Sequence, residues 1–311
     1  MSALRTTPVS MYGRPVGSPF GYHGSKLRIA RWLVADLPPH NAWVEAFCGS
    51  AAVTLAKRPA PIEIINDVDG EIVNFFRQLR DHWRTMKRLL LLTPYSREEF
   101  ASAHSREPGI PDTERARRFF MAAMMAINGS FGAAQGGFSF SNSFSRRGME
   151  ARVSRWTAAV EDLERIVERL RTVRVERRDA LQLLADFRNR PGTLIYLDPP
   201  YLADRVRGYD HDDWPVEKHV KLLAELNRSR SMIILSGYDS TLYSRNLSRS
   251  RGWLRQAVKA NTRGANGLDW SRTEVIWRNA VLRKAQRTGR VPVRLSKDEK
   301  RQVKVNPVRA R

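Results

Sequence analysis

An acid, two prolines and a phenol stand in a row at Asp198-Pro199-Pro200-Tyr201. Together these residue types suit the handling of an amino-bearing heterocycle. Asp198 can accept hydrogen bonds at its carboxylate. The two prolines lack backbone donors and fix φ, so they end any strand pairing and leave the Pro199 carbonyl open to a ligand. Tyr201 adds a ring face. The corner should be stiff, with the acid on one side and the ring on the other. The plainer reading is a strand-ending turn with a solvated Asp198 and a packed Tyr201.

Three further stretches could serve the same chemistry. Gly24-Ser25-Lys26 opens a helical stretch over 27–37 and offers backbone donors and one cation to an anionic group. Cys48-Gly49-Ser50 turns from an apolar run into a second helix over 51–57, and glycine there lets a ligand approach the backbone closely. Asp67 follows that turn by about the 20 positions at which nucleotide-type folds hold a ribose hydroxyl pair, with Asp69 as rival and helix capping as the alternative role for either. Cys48 reads as a small buried filler, because no partnered base is evident. His211 has no second His or Cys at ligand spacing, so no metal is expected.

The elements around these residues read as alternating strands and helices. Runs at 43–47, 63–66, 173–176, 193–197 and 231–236 are short, apolar and rich in β-branched residues, as expected of a buried parallel sheet. A late strand with alternating character covers 273–277. A long helix over 71–92 carries Ile72, Phe75, Phe76, Leu79, Trp83 and Met86 at helical spacing, which marks a core face. The alternation breaks over 94–155. That segment reads as an inserted, mainly helical subdomain with a Gly/Ser/Phe-rich loop and flanking arginines, of which Arg117, Arg146 and Arg147 are candidate DNA contacts. Residues 202–214 form a polar loop placed to act as a lid. The stretch 259–272, rich in Gly, Asn and Arg, could approach a phosphate backbone. The expected organisation is a flexible lead-in over 1–20, a core domain over 21–93 and 156–282, the insertion at 94–155, and a basic disordered tail over 283–311.

The chain has 311 residues and a formal net charge of +22. Such an excess speaks of partners rather than of fold, and nucleic acid is the first candidate. A membrane surface is the second and weaker one, since no basic amphipathic helix with an exposed apolar face is evident. No apolar stretch is long enough to span a bilayer, and the first residues lack a signal peptide's apolar run. The single cysteine excludes an intramolecular disulfide framework, so an intracellular, cytoplasmic location is expected.

Taken as a set, these stretches resemble the Dam-like DNA adenine N6-methyltransferases over about 20–279. Tyr22-His23-Gly24-Ser25-Lys26 looks like the family's N-terminal cofactor motif, Val44 to Ser50 like its glycine-turn motif, Asn66-Asp67 like its acidic motif, and Asp198 to Tyr201 like its catalytic motif. Ser236-Gly237-Tyr238 and Thr273 to Trp277 resemble later family segments. The resemblance implies a Rossmann-like methyltransferase fold, S-adenosylmethionine as cofactor with no metal, and an adenine in double-stranded DNA as target, flipped out of the helix. It implies cofactor contacts from Tyr22, Lys26, Glu45, Phe47, Gly49, Asp67 and Asp198, and catalysis by Asp198, Pro199, Pro200 and Tyr201. A monomer acting on DNA, with or without a cognate restriction system, is the expected context. The family often has Pro where Ala46 stands and another Gly near Ala51; Ala51 and Ala52 make the turn less permissive. The alternatives are an RNA or other exocyclic-amine methyltransferase of the same fold, and a DNA-binding module that has lost catalysis.

Overall fold

A computed structural model describes residues 16–21, 26–105, 107–127, 137–143, 148–202, 214–263 and 269–291. Tyr22, Arg146, Arg147, His211, most of the lid stretch and the tail beyond residue 291 lie outside the described residues. Among the described residues, seven strands form one sheet: β1 Ala42–Glu45, β2 Ile62–Asn66, β3 Val173–Glu176, β4 Thr193–Leu197, β5 Met232–Gly237, β6 Leu254–Arg263 and β7 Asp269–Arg278. Their order is β3-β2-β1-β4-β5-β7-β6. β1 runs parallel to β2 and β4, and β4 parallel to β5. β7 reverses direction and is antiparallel to both β5 and β6. β1, β4 and β5 are buried at every position, as central parallel strands covered on both faces must be.

Among the described residues, ten helices accompany the sheet: α1 Ala30–Val34, α2 Ala52–Ala56, α3 Gly70–Leu92, α4 Arg97–Ser102, α5 Asp112–Met125, α6 Ala151–Leu170, α7 Ala180–Phe187, α8 Val216–Arg228, α9 Thr241–Asn246 and α10 Ala280–Thr288. The chain divides into two compact units. One holds residues 1–35, 49–59 and 74–174, and the other residues 36–48, 60–73 and 175–311.

The second unit contains nearly all of the sheet. Ile195, Leu197, Ile233, Leu235, Val275 and Trp277 alternate along three strands and point to one face, where they pack with residues of α7, α8 and α9. Side-chain caps fix the helices to the strand ends. Asp179 accepts from the N–H groups of Leu181 and Gln182 to start α7. Asn279 starts α10 by accepting from Leu282 N (3.0 Å), accepts also from Ile233 N (3.1 Å), and donates to Ser231 O (2.8 Å). α10 therefore carries helical structure to Thr288, past residue 283 where the tail was expected to begin. The cap at Asn279, with Leu282 and Ala285 buried, accounts for the extension.

The first unit is built on aromatic packing. Phe20 meets Phe75 and Phe119 edge-on at 5.2 Å each, Phe75 stacks on Phe120 at 5.6 Å, and Phe120 meets Trp156 at 5.4 Å. Phe20 is only 1% exposed and Val16 is buried, so the lead-in is anchored from residue 16 and not flexible throughout 1–20. Near it, the helix expected over 27–37 is a single 3-10 turn, Lys26–Arg28, followed by the short α1. The Gly/Ser/Phe-rich loop is closed at its base. Ile127 N donates to Gly137 O (2.9 Å) and Ser139 N to Met125 O (2.7 Å).

Candidate active site

The sheet fixes where a ligand can sit. The chain builds outward from β1 to β2 and β3, then returns to the other side of β1 as β4. The order therefore reverses between β1 and β4, and open α/β sheets bind ligands beyond the carboxyl ends of strands at such a point. Glu45 pairs with Tyr196, and Ala46 N donates to Tyr196 O at 3.0 Å, so the two strands end together. Phe47 leaves one strand and Asp198 the other at the same edge.

Asp198 is half-buried there. Its Oδ1 accepts the Tyr201 hydroxyl at 2.9 Å. The phenol and the acid are thus in contact, not on opposite sides of the Pro-Pro corner as expected from the sequence: two fixed φ angles bend the chain far enough to fold residue 201 back onto residue 198. Burial, and next the Asp198 charge, hold the Tyr201 phenol well above the usual tyrosine range, so it stays a donor. The Tyr201 ring lies 4.3 Å from the Tyr238 ring at 56°. Tyr238 follows β5 directly. Beneath them the Tyr196 hydroxyl shares a 2.9 Å hydrogen bond with Ser236 Oγ, and Trp43 stacks on Tyr196 at 6.2 Å and 7°.

On the β1–β2 side, Glu45 is buried at 2% exposure. Asn66 joins three chain segments: its amide donates to Ala46 O (3.0 Å) and Arg178 O (3.1 Å), and its Oδ1 accepts from Arg178 N (3.0 Å). The two rival acids separate by role. Asp69 Oδ1 accepts from Glu71 N (2.8 Å) and so serves the start of α3, whereas Asp67 Oδ1 accepts from Asp69 N (3.1 Å) within the turn beyond β2. Cys48 is buried and donates its N–H to Asn66 O (2.8 Å). Burial first, then the charges of Asp67 and Glu45, push its thiol well up, which fits a filler and not a nucleophile. Phe47 meets the Trp214 ring at 5.1 Å.

In the first unit, Lys26 is buried at 4% exposure and Gly49 takes a left-handed φ of 46°. Ala51 does the same at φ 53°, the one non-glycine to do so among the described residues. It lies in the turn near which the resemblance expected another glycine.

Residues 22–262 match the family described as D12 class N6 adenine-specific DNA methyltransferase. The chain belongs to this family. It is accordingly an S-adenosylmethionine-dependent enzyme that methylates adenine in DNA, with a Rossmann-like methyltransferase fold. No curated protein matches it. Among solved structures, the methyltransferase is similar to the precorrin 8w decarboxylase of Methanobacterium thermoautotrophicum (11% identity, 85% of this chain and 99% of that one, TM-score 0.36). It is also similar to a Pyrococcus horikoshii protein described as an RNA methyltransferase (11%, 80% and 79%, TM-score 0.34). A third is an S-adenosylmethionine-dependent methyltransferase from Agrobacterium tumefaciens (12%, 64% and 61%, TM-score 0.26). The family match and the strand order carry the assignment.

Tyr238 and Trp214 border the methyltransferase's strand ends; the sequence placed Tyr238 in a family-like segment and Trp214 at the end of the lid loop, but gave neither side chain a contact. An aromatic residue directly after a strand-ending glycine was the available signal for Tyr238. Arg117, singled out as a DNA contact, is committed elsewhere. Its guanidinium grips both oxygens of Glu114 (2.7 and 2.8 Å) and reaches Glu99 (3.0 Å) and Thr93 (2.9 Å). With a side chain only 15% exposed, it ties α5 to α4 and is not presented to a groove. Among the described residues no cluster of three or more His, Cys, Asp or Glu could hold a metal ion, and no helix is long and apolar enough to cross a membrane.

Proposed function

We propose that Asp198 and the Pro199 carbonyl accept the two N–H bonds of a flipped-out adenine amino group and aim its lone pair at the methyl donor. The observation that carries this reading is the place of Asp198: at the reversal point of the sheet, on the carboxyl edge, with its carboxylate fixed by Tyr201 and two aromatic rings alongside. The adenine amino group is a weak nucleophile because its lone pair is delocalised into the ring. Two acceptors on its hydrogens raise the electron density on nitrogen and stabilise the cation that forms there. Holding the nitrogen in line with the donor supplies much of the rest. The paired rings of Tyr201 and Tyr238 offer a stacking surface, which requires the base to leave the duplex.

The donor set around β1 and β2 suits the cofactor. Glu45 and Asp67 bring carboxylates to a ligand that carries a sulfonium, an ammonium and a ribose diol, and Phe47 offers a ring beside them. S-adenosylmethionine, when bound, supplies a methyl group made electrophilic by its sulfonium. Asp67 would hold the ribose hydroxyls, because it stands in the turn directly beyond β2 whereas Asp69 serves the start of α3. No metal is needed for this chemistry. The enzyme would act on double-stranded DNA as a monomer in a prokaryotic or phage setting, in company with a restriction system or without one.

The deciding experiment uses Asp198→Ala. Labelled-methyl incorporation into duplex DNA should vanish while DNA binding persists. Turnover at the normal rate would remove Asp198 from the chemistry. The same assay on RNA, with identification of the labelled nucleoside, tests the RNA alternative.

A further inference from the structure

We propose that Glu274 on β7 is a second acid of the methyl-transfer site, placed on the target-base side so that its charge favours the transition state over the bound reactants. This inference rests on the reading of Asp198 and the cofactor side given above.

The register places the residue. Gly237 pairs with Val275 across β5 and β7, so the next step sets Tyr238 beside Glu274. Tyr238 in turn touches Tyr201, whose hydroxyl binds Asp198. Side chains alternate along a strand. Val275 and Trp277 point into the core with α7, α8 and α9. Glu274 and Ile276 therefore point to the opposite face, the one that carries Tyr196 and Ser236. Glu274 is half-buried, and its charge reaches this group: it is among the causes that raise the Tyr201 and Tyr196 phenols. Glu45 on β1, Asp198 beyond β4 and Glu274 on β7 thus bring three acids to one face along the sheet's width.

Their positions along that width differ in effect. The cofactor side lies at β1 and β2, the base side at β4 and β5. During transfer the sulfur–methyl bond breaks and its electron pair stays on sulfur, which becomes a neutral thioether. The amino lone pair forms the new nitrogen–methyl bond, and the positive charge moves to that nitrogen until Asp198 accepts the surplus proton. A unit positive charge therefore travels from the β1 side towards the β5 side. A carboxylate near β1 stabilises the starting position of the charge. One beyond β5 stabilises its destination, and only interactions that strengthen on the way lower the barrier.

The test compares Glu274→Gln, which keeps the shape and deletes the charge, with Glu274→Asp, which keeps the charge. Single-turnover methyl transfer to duplex DNA gives the rate. Calorimetric titration of S-adenosylmethionine and of S-adenosylhomocysteine gives the ground-state affinity for a charged and a neutral sulfur. For Glu274→Gln we expect a rate about three- to tenfold lower, the size set by bringing a unit charge a few ångström nearer a half-buried acid. Both cofactor affinities should stay within about twofold of wild type. Glu274→Asp should recover most of the rate. A wild-type rate in Glu274→Gln overturns the proposal. So does an equal loss in both variants, which marks a packing role, or a matching loss of affinity for S-adenosylmethionine alone, which places the charge at the cofactor sulfur. Asp198→Ala run alongside separates the two levels: if that variant turns over, the site itself is misread; if it is dead and Glu274→Gln is normal, only the role of Glu274 falls.

Discussion

Tyr201 donates its hydroxyl to Asp198, and that contact has measurable consequences. Tyr201→Phe removes the hydroxyl and keeps the ring. We expect kcat to fall about tenfold, as for loss of one hydrogen bond to a charged group, with capture of the extruded base retained. Tyr201→Ala should lose both, and the difference can be read in stopped-flow fluorescence with 2-aminopurine at the target. Because burial and Asp198 keep this phenol far above the ordinary range, it remains protonated at working pH. The pH–rate profile should show no alkaline limb from it below about pH 10, the ordinary tyrosine value. Asn66 is a second residue whose importance lies in hydrogen bonds. Asn66→Ala leaves Ala46 O, Arg178 N and Arg178 O without their amide partner and should cost about 3 kcal/mol in urea unfolding, at roughly 1 kcal/mol for each of the three groups, the low end because the Arg178 bonds are only part-buried. The sequence named Asn66 within a motif; what it could not show was that this side chain ties the end of β1 to the segment after β3, since the partners lie 20 and 112 residues away.

Among the elements, the central strands were legible because two-sided burial demands uninterrupted apolar runs, and 193–197 and 231–236 have them. β6 was not. Leu254–Arg263 pairs with β7 over ten positions, yet Arg255, Gln256 and Lys259 interrupt any apolar period, as an edge strand with one neighbour allows. The stretch assigned to phosphate contact thus begins as sheet, and the late strand starts at Asp269, four residues before the expected start at 273. The turn before α2 carries its own prediction. Ala51 at φ 53° pays the left-handed penalty of about 1–2 kcal/mol. Ala51→Gly should relieve it, minus about 0.4–1 kcal/mol for the looser unfolded chain, and raise the melting temperature by a few degrees. The junction of α4 and α5 is also sensitive to pH. Glu114 is held below the usual glutamate range, first by its hydrogen bond from Arg117. A depressed carboxylate contributes stability above its unfolded pKa and loses it as pH falls through the folded value. Arg117→Ala should therefore flatten the acid limb of the stability profile below about pH 4.5, and leave DNA affinity unchanged, which a filter-binding titration would show.

For the whole molecule, the charge of +22 predicts binding that weakens steeply with salt. The slope of log K against log salt should be about −0.9 for each phosphate contact. Deleting residues 292–311 should make it shallower without altering single-turnover transfer at saturating DNA. The path of the chain has a consequence of another kind. It passes from one compact unit to the other at 35/36, 48/49, 59/60, 73/74 and 174/175. Neither unit can be lifted out as an unbroken piece of gene. A fragment ending at Arg174 would hold the first unit entire, together with β1 and β2 of the sheet, β1 stripped of the β4 that pairs with it, and should aggregate when made alone. Supplied with the complementary fragment from Val175 onward during synthesis, it should regain methylation, giving an enzyme that works only when both halves are expressed in the same cell.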